Sequence, residues 1–239
     1  MHPDIKALNI KIFADGADLT GMIEMASKPY ISGFTTNPTL MRKAGVTNYS
    51  NFAKQVLKEI SDKPISFEVF SDDLEEMSYQ AEKIASWGAN VYVKIPITNS
   101  RGDSTFGVIE KLTQQGVKVN ITALMNQTQV AEILPALNEG VPSYVSIFAG
   151  RIADTGRNPE AVMIQSLATL AEKPKAELIW ASPRELLNIF QANTIGCHVI
   201  TATNEILNKL GLYKKDLNEY SLETVQMFQK DATSSNYSL

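Results

Sequence analysis

The sequence has few of the side chains that most often bind metals. Its 239 residues include one cysteine, Cys197, and two histidines, His2 and His198. A single cysteine excludes an intrachain disulfide and a thiolate-rich metal site. Because His2 lies near the start of the chain and His198 lies in an apolar run, we expect no histidine metal site and interpret His198 as a core residue. The sequence therefore predicts no metal.

The chain also lacks long apolar runs, a surplus of positive charge and the glycine spacings of nucleotide-binding loops. No apolar run approaches the about 18 residues of a membrane span, and no signal-peptide core is found at the N-terminus. The formal net charge of −4 argues against a nucleic-acid or anionic-membrane partner. The glycine spacings support no nucleotide cofactor. We expect a cytoplasmic protein without a cofactor, in which any anionic ligand meets a few placed cations.

What the sequence does contain is a regular alternation of short apolar runs and helical stripes. We predict eight strands at residues 10–14, 30–34, 65–70, 90–97, 117–122, 144–148, 177–181 and 197–201. Strands that are apolar enough to be covered on both faces form parallel sheets, and eight strand–helix units most simply close into a barrel. Since no linker divides the chain, we predict one (β/α)8 TIM barrel domain over residues 1–239.

The C-terminal segment departs from this alternation. Leu222, Val225 and Phe228 form a helical stripe in a polar stretch, so residues 213–239 are predicted to be a helical extension. This helix could cover a barrel face or dock on a neighbouring subunit.

The fourth predicted strand contains a lysine in an apolar setting. Lys94 lies among β-branched and aromatic residues, and Pro96 marks the end of strand pairing. A buried ammonium without a counter-ion tends to lose its proton, and the neutral amine is a nucleophile for carbonyl carbon. The alternative is a strand-end lysine that reaches water.

Polar residues recur in or just after the predicted strands, where barrel active sites lie. They are Asp15, Asn37, Glu68, Lys94, Asn120, Thr122, Ser146, Arg151, Ser182 and Arg184. Buried polar groups need partners, so we expect these side chains to converge on each other, on water or on a ligand.

Several of these residues also have structural interpretations. Asp15 and Asn37 could be turn residues, and Glu68 could form a structural ion pair with Lys94. Ser182 begins a predicted capping box over residues 182–185. That helix N-terminus, with Arg184, would also suit an anion, and Arg151 would supply a second guanidinium.

Six motifs together resemble the transaldolase family, specifically the short subfamily that includes fructose-6-phosphate aldolase. In chain order they are FAD at 13–15, GFTTNPTL at 33–40, VKIP at 93–96, VNIT at 119–122, VSIFAGR at 145–151 and ASPR at 181–184. The resemblance runs from about residue 10 to residue 210 and implies a class I Schiff-base enzyme of carbohydrate metabolism, as in the pentose phosphate pathway.

The resemblance also implies a role for each site residue. Lys94 would condense with the ketone of a ketose phosphate, and Asp15 would take the proton of the C4 hydroxyl during carbon–carbon cleavage. Glu68 and Thr122 would hold the water that moves protons as the imine forms and breaks. The implied substrate-binding residues are Thr36, Asn37, Asn120, Ser146, Phe148, Arg151, Ser182 and Arg184, the last two forming the phosphate site with Arg151.

Two positions indicate the branch of the family. Relatives that release free dihydroxyacetone tend to have Gln and Tyr where this chain has Glu68 and Phe148, so the resemblance implies transfer of a dihydroxyacetone unit to an aldose phosphate. Pro183 and the longer loop at 98–103, which would bring Arg101 to the rim, depart from the family pattern. They leave open a sulfonated sugar in place of a phosphorylated one.

Two further alternatives remain at this stage. One is an aldolase that releases the ketone donor, and the other is a non-catalytic barrel that binds sugar phosphates. The expected partners are small-molecule sugar phosphates and other copies of the chain, because in this subfamily the C-terminal helix commonly docks on a neighbour within a ring.

Overall fold

The computed structural model describes residue 5 and residues 7–235. Eight parallel strands close into a barrel in sequence order, and the last strand pairs with the first. The strands are β1 (Lys11–Asp15), β2 (Ile31–Thr35), β3 (Ile65–Glu68), β4 (Val91–Pro96), β5 (Val119–Leu124), β6 (Ser143–Ile147), β7 (Ala176–Trp180) and β8 (Val199–Thr203). The predicted (β/α)8 barrel is confirmed.

Helices connect the strands and surround the barrel. They are α1 (Leu19–Ala26), α2 (Pro38–Lys43), α3 (Tyr49–Glu59), α4 (Leu74–Ala85), α5 (Phe106–Gln114), α6 (Gln127–Ile133), α7 (Ala149–Asp154), α8 (Glu160–Leu170), α9 (Leu187–Thr194), α10 (Asn204–Asn208) and α11 (Leu217–Ser234). Short 3₁₀ segments follow α6 (Leu134–Ala136) and α10 (Lys209–Leu212).

Side-chain caps begin several of these helices. Asn126 begins α6 with a complete capping box. Asp73 begins α4, where its carboxylate accepts the hydrogen bond of the Glu76 N–H, three residues later.

The described residues form two apolar cores. The larger lies between the barrel and the helices, and the smaller lies inside the barrel. The smaller core comprises Phe13, Tyr92, Tyr144, Ile179, Ala181 and Val199, with Phe148 packed against it. Because side chains alternate along a strand, the residues two positions after Phe13 and Tyr92 are Asp15 and Lys94, which also face inward. We call the smaller core the floor of the barrel.

Glycine makes room for the floor at one point. A Cβ on Gly33 would lie 2.6 Å from the Phe13 ring, a distance that real Cβ contacts essentially never show. Any other residue at this position would displace Phe13 from the floor.

Helix α11 buries none of its residues in this chain. Leu217 is 79% exposed and Phe228 is 62% exposed, so the apolar stripe does not cover a barrel face. Within the described part of the chain, no helix is both long and apolar enough to cross a membrane. His2 and residues 236–239 of the predicted extension lie outside the described residues.

Candidate active site

A cavity of about 560 Å³ opens at the carboxyl ends of the strands. Most of the sequence-predicted site residues line it, namely Asp15, Asn37, Glu68, Lys94, Thr122, Phe148, Arg151, Ser182 and Arg184. Barrel enzymes place their active sites at this end because loops and strand ends from the whole barrel meet there.

Lys94 lies at the centre of this arrangement and is 6% exposed. Its Nζ lies 3.1 Å from Glu68 Oε2 and donates a hydrogen bond of 3.1 Å to the backbone carbonyl of Thr36. The alternative of a lysine that reaches water is therefore wrong. The ion pair considered for Glu68 is present, and since both partners face the cavity it is compatible with a catalytic role.

Asp15 faces the same cavity from β1. Its Oδ1 accepts a hydrogen bond of 2.7 Å from Thr35 Oγ1 on the adjacent strand. Burial raises the pKa of the Asp15 carboxyl, and the charge of Lys94 and the Thr35 hydrogen bond oppose that rise. A carboxyl held in this way is suited to exchange a proton with a bound molecule.

The hydroxyl of Thr122 is buried and has no hydrogen-bond partner within residues 7–235. The next residue, Ala123, has a left-handed backbone with φ of 65°, at the point where the pairing of β5 with β6 shifts register. Strained backbone and an unpaired buried hydroxyl are both costly, and they are most often found at functional sites. Thr122 is therefore free to bind a molecule in the cavity.

Three predicted substrate-binding residues lie beside the cavity rather than in its lining. Ser146 Oγ donates to Asn120 Oδ1 at 2.7 Å, and Asn120 Nδ2 donates to Ser66 Oγ at 2.9 Å. Thr36 Oγ1 donates to the carbonyl of Ser66 at 2.8 Å. Asn120 and Ser146 precede the cavity-lining Thr122 and Phe148 by two residues, so the Ser146–Asn120–Ser66 network lies one alternation step below the cavity wall.

Asn37 begins α2, and its side chain accepts a hydrogen bond of 2.9 Å from the Leu40 N–H. The amide nitrogen of Asn37 takes no part in this bond, so the residue can both cap the helix and donate to a ligand.

Two arginines stand at the loop side of the cavity. The Arg151 guanidinium lies 5.2 Å from the centre of the Phe148 ring. Arg184 forms a two-point ion pair with Asp154, in which Nε lies 3.0 Å from Oδ1. The Arg184 hydrogen bond lowers the pKa of the Asp154 carboxyl. Arg184 is thus oriented by Asp154 before any anion binds.

The predicted capping box at 182–185 is wrong. Helix α9 begins later, at Leu187, and Asn188 Oδ1 accepts the N–H groups of Arg184 and Glu185 at 2.8 and 3.1 Å. Ser182 has a left-handed backbone with φ of 55°, which an N-cap residue does not adopt.

A close approach between helix α7 and the loop at residues 182–184 explains this backbone turn. A Cβ on Gly150, in the first turn of α7, would lie 1.5 Å from the Ser182 carbonyl oxygen. The 182–184 loop therefore packs directly on the Gly150 backbone, and this tertiary contact overrides the local capping signal.

Arg101 does not line the cavity. Its guanidinium is held by Asp72 and Asp103, and Ser100 also bonds to Asp72 through its N–H and its hydroxyl, both at 2.7 Å. These carboxylates come from the loop after β3 and from the 98–103 loop itself, so the segment docks sideways along the rim.

His198 is structural, as interpreted from the sequence. Its Nδ1 accepts the Leu178 N–H at 3.0 Å, and burial lowers the pKa of its imidazole. Within the described residues, no group of three or more His, Cys, Asp and Glu side chains is arranged to hold a metal ion.

Sequence reasoning missed three residues that the structure brings to the site. Thr35 and Thr201 connect to Asp15 by hydrogen bonds, and Asp154 orients Arg184. Strand alternation could have identified Thr35 and Thr201 as facing inward, but their contact depends on the barrel being closed.

Comparison with known proteins identifies the family of the chain. The family model described as transaldolase/fructose-6-phosphate aldolase matches residues 12–239. A curated relative from a Sulfurihydrogenibium species, named "Probable transaldolase", is 32% identical over 219 residues, which cover 90% of this chain and 94% of the relative. A relative of the same name from Thermoplasma volcanium is 34% identical over 205 residues, covering 84% of this chain and 87% of the relative.

Among solved structures, KGPDC from Streptococcus mutans superposes with a TM-score of 0.55 and 10% identity, covering 82% of this chain and 89% of that chain. At that identity only the fold is shared. The sequence matches carry the assignment, and the chain belongs to the transaldolase/fructose-6-phosphate aldolase family.

Proposed function

We propose that this protein transfers a dihydroxyacetone unit from a ketose phosphate to an aldose phosphate, through an imine on Lys94. The observation that supports it best is the buried Lys94 amine, 3.1 Å from the Glu68 carboxylate and facing the same cavity as Asp15. A covalent imine withdraws electrons from the substrate and so divides one difficult cleavage into easier steps.

Imine formation would use Lys94, Glu68 and Thr122. Glu68 takes a proton from the Lys94 ammonium, and the neutral amine adds to the ketone carbon to give a carbinolamine. The hydroxyl of the carbinolamine is then protonated and leaves as water, which gives the iminium. A second water, held between Glu68 and the unpaired Thr122 hydroxyl, would carry the protons of these steps.

Carbon–carbon cleavage would use Asp15. Its carboxylate takes the proton of the C4 hydroxyl as the C3–C4 bond breaks, the electron pair moves into the iminium, and an aldehyde leaves. Addition of a second aldehyde reverses these steps, and hydrolysis frees the amine. Burial, which raises the pKa of Asp15, favours its action as a proton acceptor and donor in one cycle.

The choice between transfer and release depends on how fast water hydrolyses the three-carbon imine. Glu68 and Phe148 line the cavity, and the family resemblance associates this pair with transferases. An assay without an acceptor separates the two. A transferase releases aldehyde once per active site, whereas steady formation of free dihydroxyacetone would identify an aldolase.

The charge at the loop side of the cavity favours a second candidate substrate. Arg151 and Arg184 contribute +2 and Asp154 contributes −1, so these three groups sum to +1. A phosphate ester has a charge near −2 at neutral pH, whereas a sulfonate has −1. A sulfonated ketose is therefore a candidate donor, to be compared with its phosphorylated counterpart by kcat/KM.

Borohydride trapping with fructose 6-phosphate tests the imine. We expect peptide mapping to find the reduced three-carbon adduct on Lys94. Lys118→Met is the matched control, because Lys118 precedes the neighbouring strand at the other end of the barrel and donates to the Ala89 carbonyl at 2.7 Å. The adduct should persist in that variant. An adduct on another lysine would contradict the role of Lys94, whereas thermal stabilisation by sugar phosphates without any adduct or turnover would favour the non-catalytic alternative.

We further propose that α11 docks on a second copy of the chain in a ring. Its exposed apolar residues support this, since helices of one chain normally bury such stripes. Val225→Glu with Phe228→Glu should reduce the oligomer measured by sedimentation, whereas Gln226→Glu should not. An unchanged mass would contradict the proposal.

A further inference from the structure

A hydrogen-bonded chain of three side chains joins three neighbouring strands at the edge of the active-site cavity. Thr35 Oγ1 donates to Asp15 Oδ1 at 2.7 Å, and Thr35 Oγ1 and Thr201 Oγ1 are 2.6 Å apart. Both threonines are buried, and Thr201 also lines the cavity. The chain joins β2, β1 and β8 at the point where the barrel closes.

Hydrogen counting sets the direction of this chain. A carboxylate only accepts hydrogen bonds, and each threonine hydroxyl has one hydrogen. Since Thr35 gives its hydrogen to Asp15, Thr201 must give its own hydrogen to Thr35. Thr201 then presents only lone pairs to the cavity, while Asp15 Oδ2 takes no part in this chain.

We propose that Thr201 is a positioning residue, which acts through Thr35 to hold Asp15 as a correctly oriented carboxylate with Oδ2 directed to the substrate. This inference rests on the proposed function, because that function makes Asp15 the group that takes the proton of the C4 hydroxyl. The order of donors and acceptors holds for the ionised form of Asp15, because a protonated carboxyl can also donate a hydrogen bond.

The hydrogen-bonded chain of Asp15, Thr35 and Thr201 also opposes the effect of burial on the pKa of Asp15. The Thr35 hydrogen bond lowers the pKa of this carboxyl, in the same direction as the charge of Lys94, whereas burial and Glu68 raise it. Other charged groups line the two cavities that Asp15 reaches, namely Arg151, Arg184, Asp18, Lys43 and Glu205. Removing a threonine hydroxyl changes none of these charges, so a shift in the titration of Asp15 would report the chain itself.

Valine substitutions test the hydrogen-bonded chain, because valine has the shape of threonine without the hydroxyl. Thr35→Val removes the bond to Asp15, and Thr201→Val leaves that bond but removes the donor behind it. The test measures the rate of aldehyde release in a single turnover as a function of pH. The acidic limb of this pH–rate profile should move up by about one pH unit in Thr35→Val and by less in Thr201→Val, and Thr201→Ser should behave almost as the unmodified protein does.

Thr113→Val is the matched control, since Thr113 is another buried threonine and donates to the Ala136 carbonyl at 2.6 Å, outside both cavities that Asp15 reaches. Its acidic limb should not move. If Thr35→Val and Thr201→Val also leave the limb in place, or if Thr201→Ser moves it as far as Thr201→Val, the proposal is overturned.

A titration of ¹³C-labelled aspartate carboxyls by NMR, with Asp15→Asn to assign the signal, tests the same chain without turnover. The Asp15 pKa should rise in both valine variants. Borohydride trapping separates the two proposals. A missing Lys94 adduct overturns the proposed function alone, whereas an intact adduct with an unmoved Asp15 titration overturns the role of Thr201 alone.

Discussion

The two ends of the barrel interior are built by the same strands but serve opposite purposes. At the amino end, Phe13, Tyr92 and Tyr144 pack ring against ring, with centroids 5.5 Å apart for Phe13 and Tyr144 and 4.3 Å apart for Tyr92 and Tyr144. At the carboxyl end, two residues further along β1 and β4, Asp15 and Lys94 face a cavity of about 560 Å³.

This difference shows how a barrel can contain a site whose buried polar groups lower the stability of the fold. Buried charged and unpaired polar groups disfavour folding, and the cavity contains Asp15, the Lys94–Glu68 pair and the Thr122 hydroxyl. The filled floor is one source of the apolar burial that offsets this cost, together with the larger core between the barrel and the helices. One alternation step along a strand separates the two environments, so variants at each end should affect different properties.

The largest expected effect is on turnover at the cavity end. Lys94→Met removes the amine that would form the imine, so kcat should fall by at least about 10⁴-fold and no borohydride adduct should form. Steady-state assays with fructose 6-phosphate measure this. Lys118→Met, at the floor end, should retain kcat within a few fold. Turnover by Lys94→Met close to that of the unmodified protein would contradict the mechanism.

The next effect is on stability at the floor. Tyr144→Ala removes a buried ring that contacts Phe13 and Tyr92, and it should lower the free energy of unfolding by about 3–5 kcal/mol. Denaturant unfolding measures this loss, and Tyr144→Phe, which keeps the ring, should lose much less. The folded fraction of Tyr144→Ala should still form the Lys94 adduct. Loss of the adduct at full folding would mean that the two ends are not separable.

A smaller effect is the dependence of stability on pH at Asp15. Because burial raises the folded pKa of this carboxyl above its ordinary value of 3.8, the native state binds the proton more tightly than the unfolded chain. Ionisation therefore destabilises the native state as pH rises through the folded pKa. Asp15→Asn should unfold at a higher temperature than the unmodified protein at neutral pH, and the difference should vanish below about pH 3.8. A difference that does not change with pH would contradict this account.

The smallest effect is expected at the outer edge of the floor. Lys11 Nζ lies 2.7 Å from Glu177 Oε1, but half of the Lys11 side chain and a quarter of the Glu177 side chain are exposed. Glu177→Gln should therefore cost at most about 1 kcal/mol, and less in high salt. Denaturant unfolding at two salt concentrations measures it. A cost of several kcal/mol would mean that the floor depends on this ion pair.

Much of the barrel could be predicted from local patterns, because each strand and helix has its own periodicity. The strand boundaries were accurate to about two residues, and β3 ends at Glu68 rather than at the predicted residue 70. Lys94 could be identified from the sequence because a lysine is rarely buried in an apolar strand unless it has a partner or a function. The placement of Asp15, Glu68 and Thr122 at strand ends followed from the same alternation.

The errors share one cause, which is that they depend on distant parts of the chain. Ser182 resembles an N-cap in sequence, but its backbone is set by contact with Gly150. The contacts of Arg101, which was expected at the rim, depend in the same way on Asp72 of another loop, which holds its guanidinium. Strand-end position alone could not distinguish Asn120, in the network below the cavity, from Thr122 on its wall.

The sequence by itself determined the eightfold repeat, the inward position of Lys94 and the set of strand-end polar residues, because alternation and helical periodicity act over a few neighbouring residues. Only the tertiary structure decided which of those residues pair. The Lys94–Glu68 ion pair, the Asp154–Arg184 pair and the Thr201–Thr35–Asp15 chain each join segments that are far apart in sequence. Their geometry exists only once the barrel has closed, and for the Lys94–Glu68 pair and the threonine chain low solvent access makes an unpaired group costly.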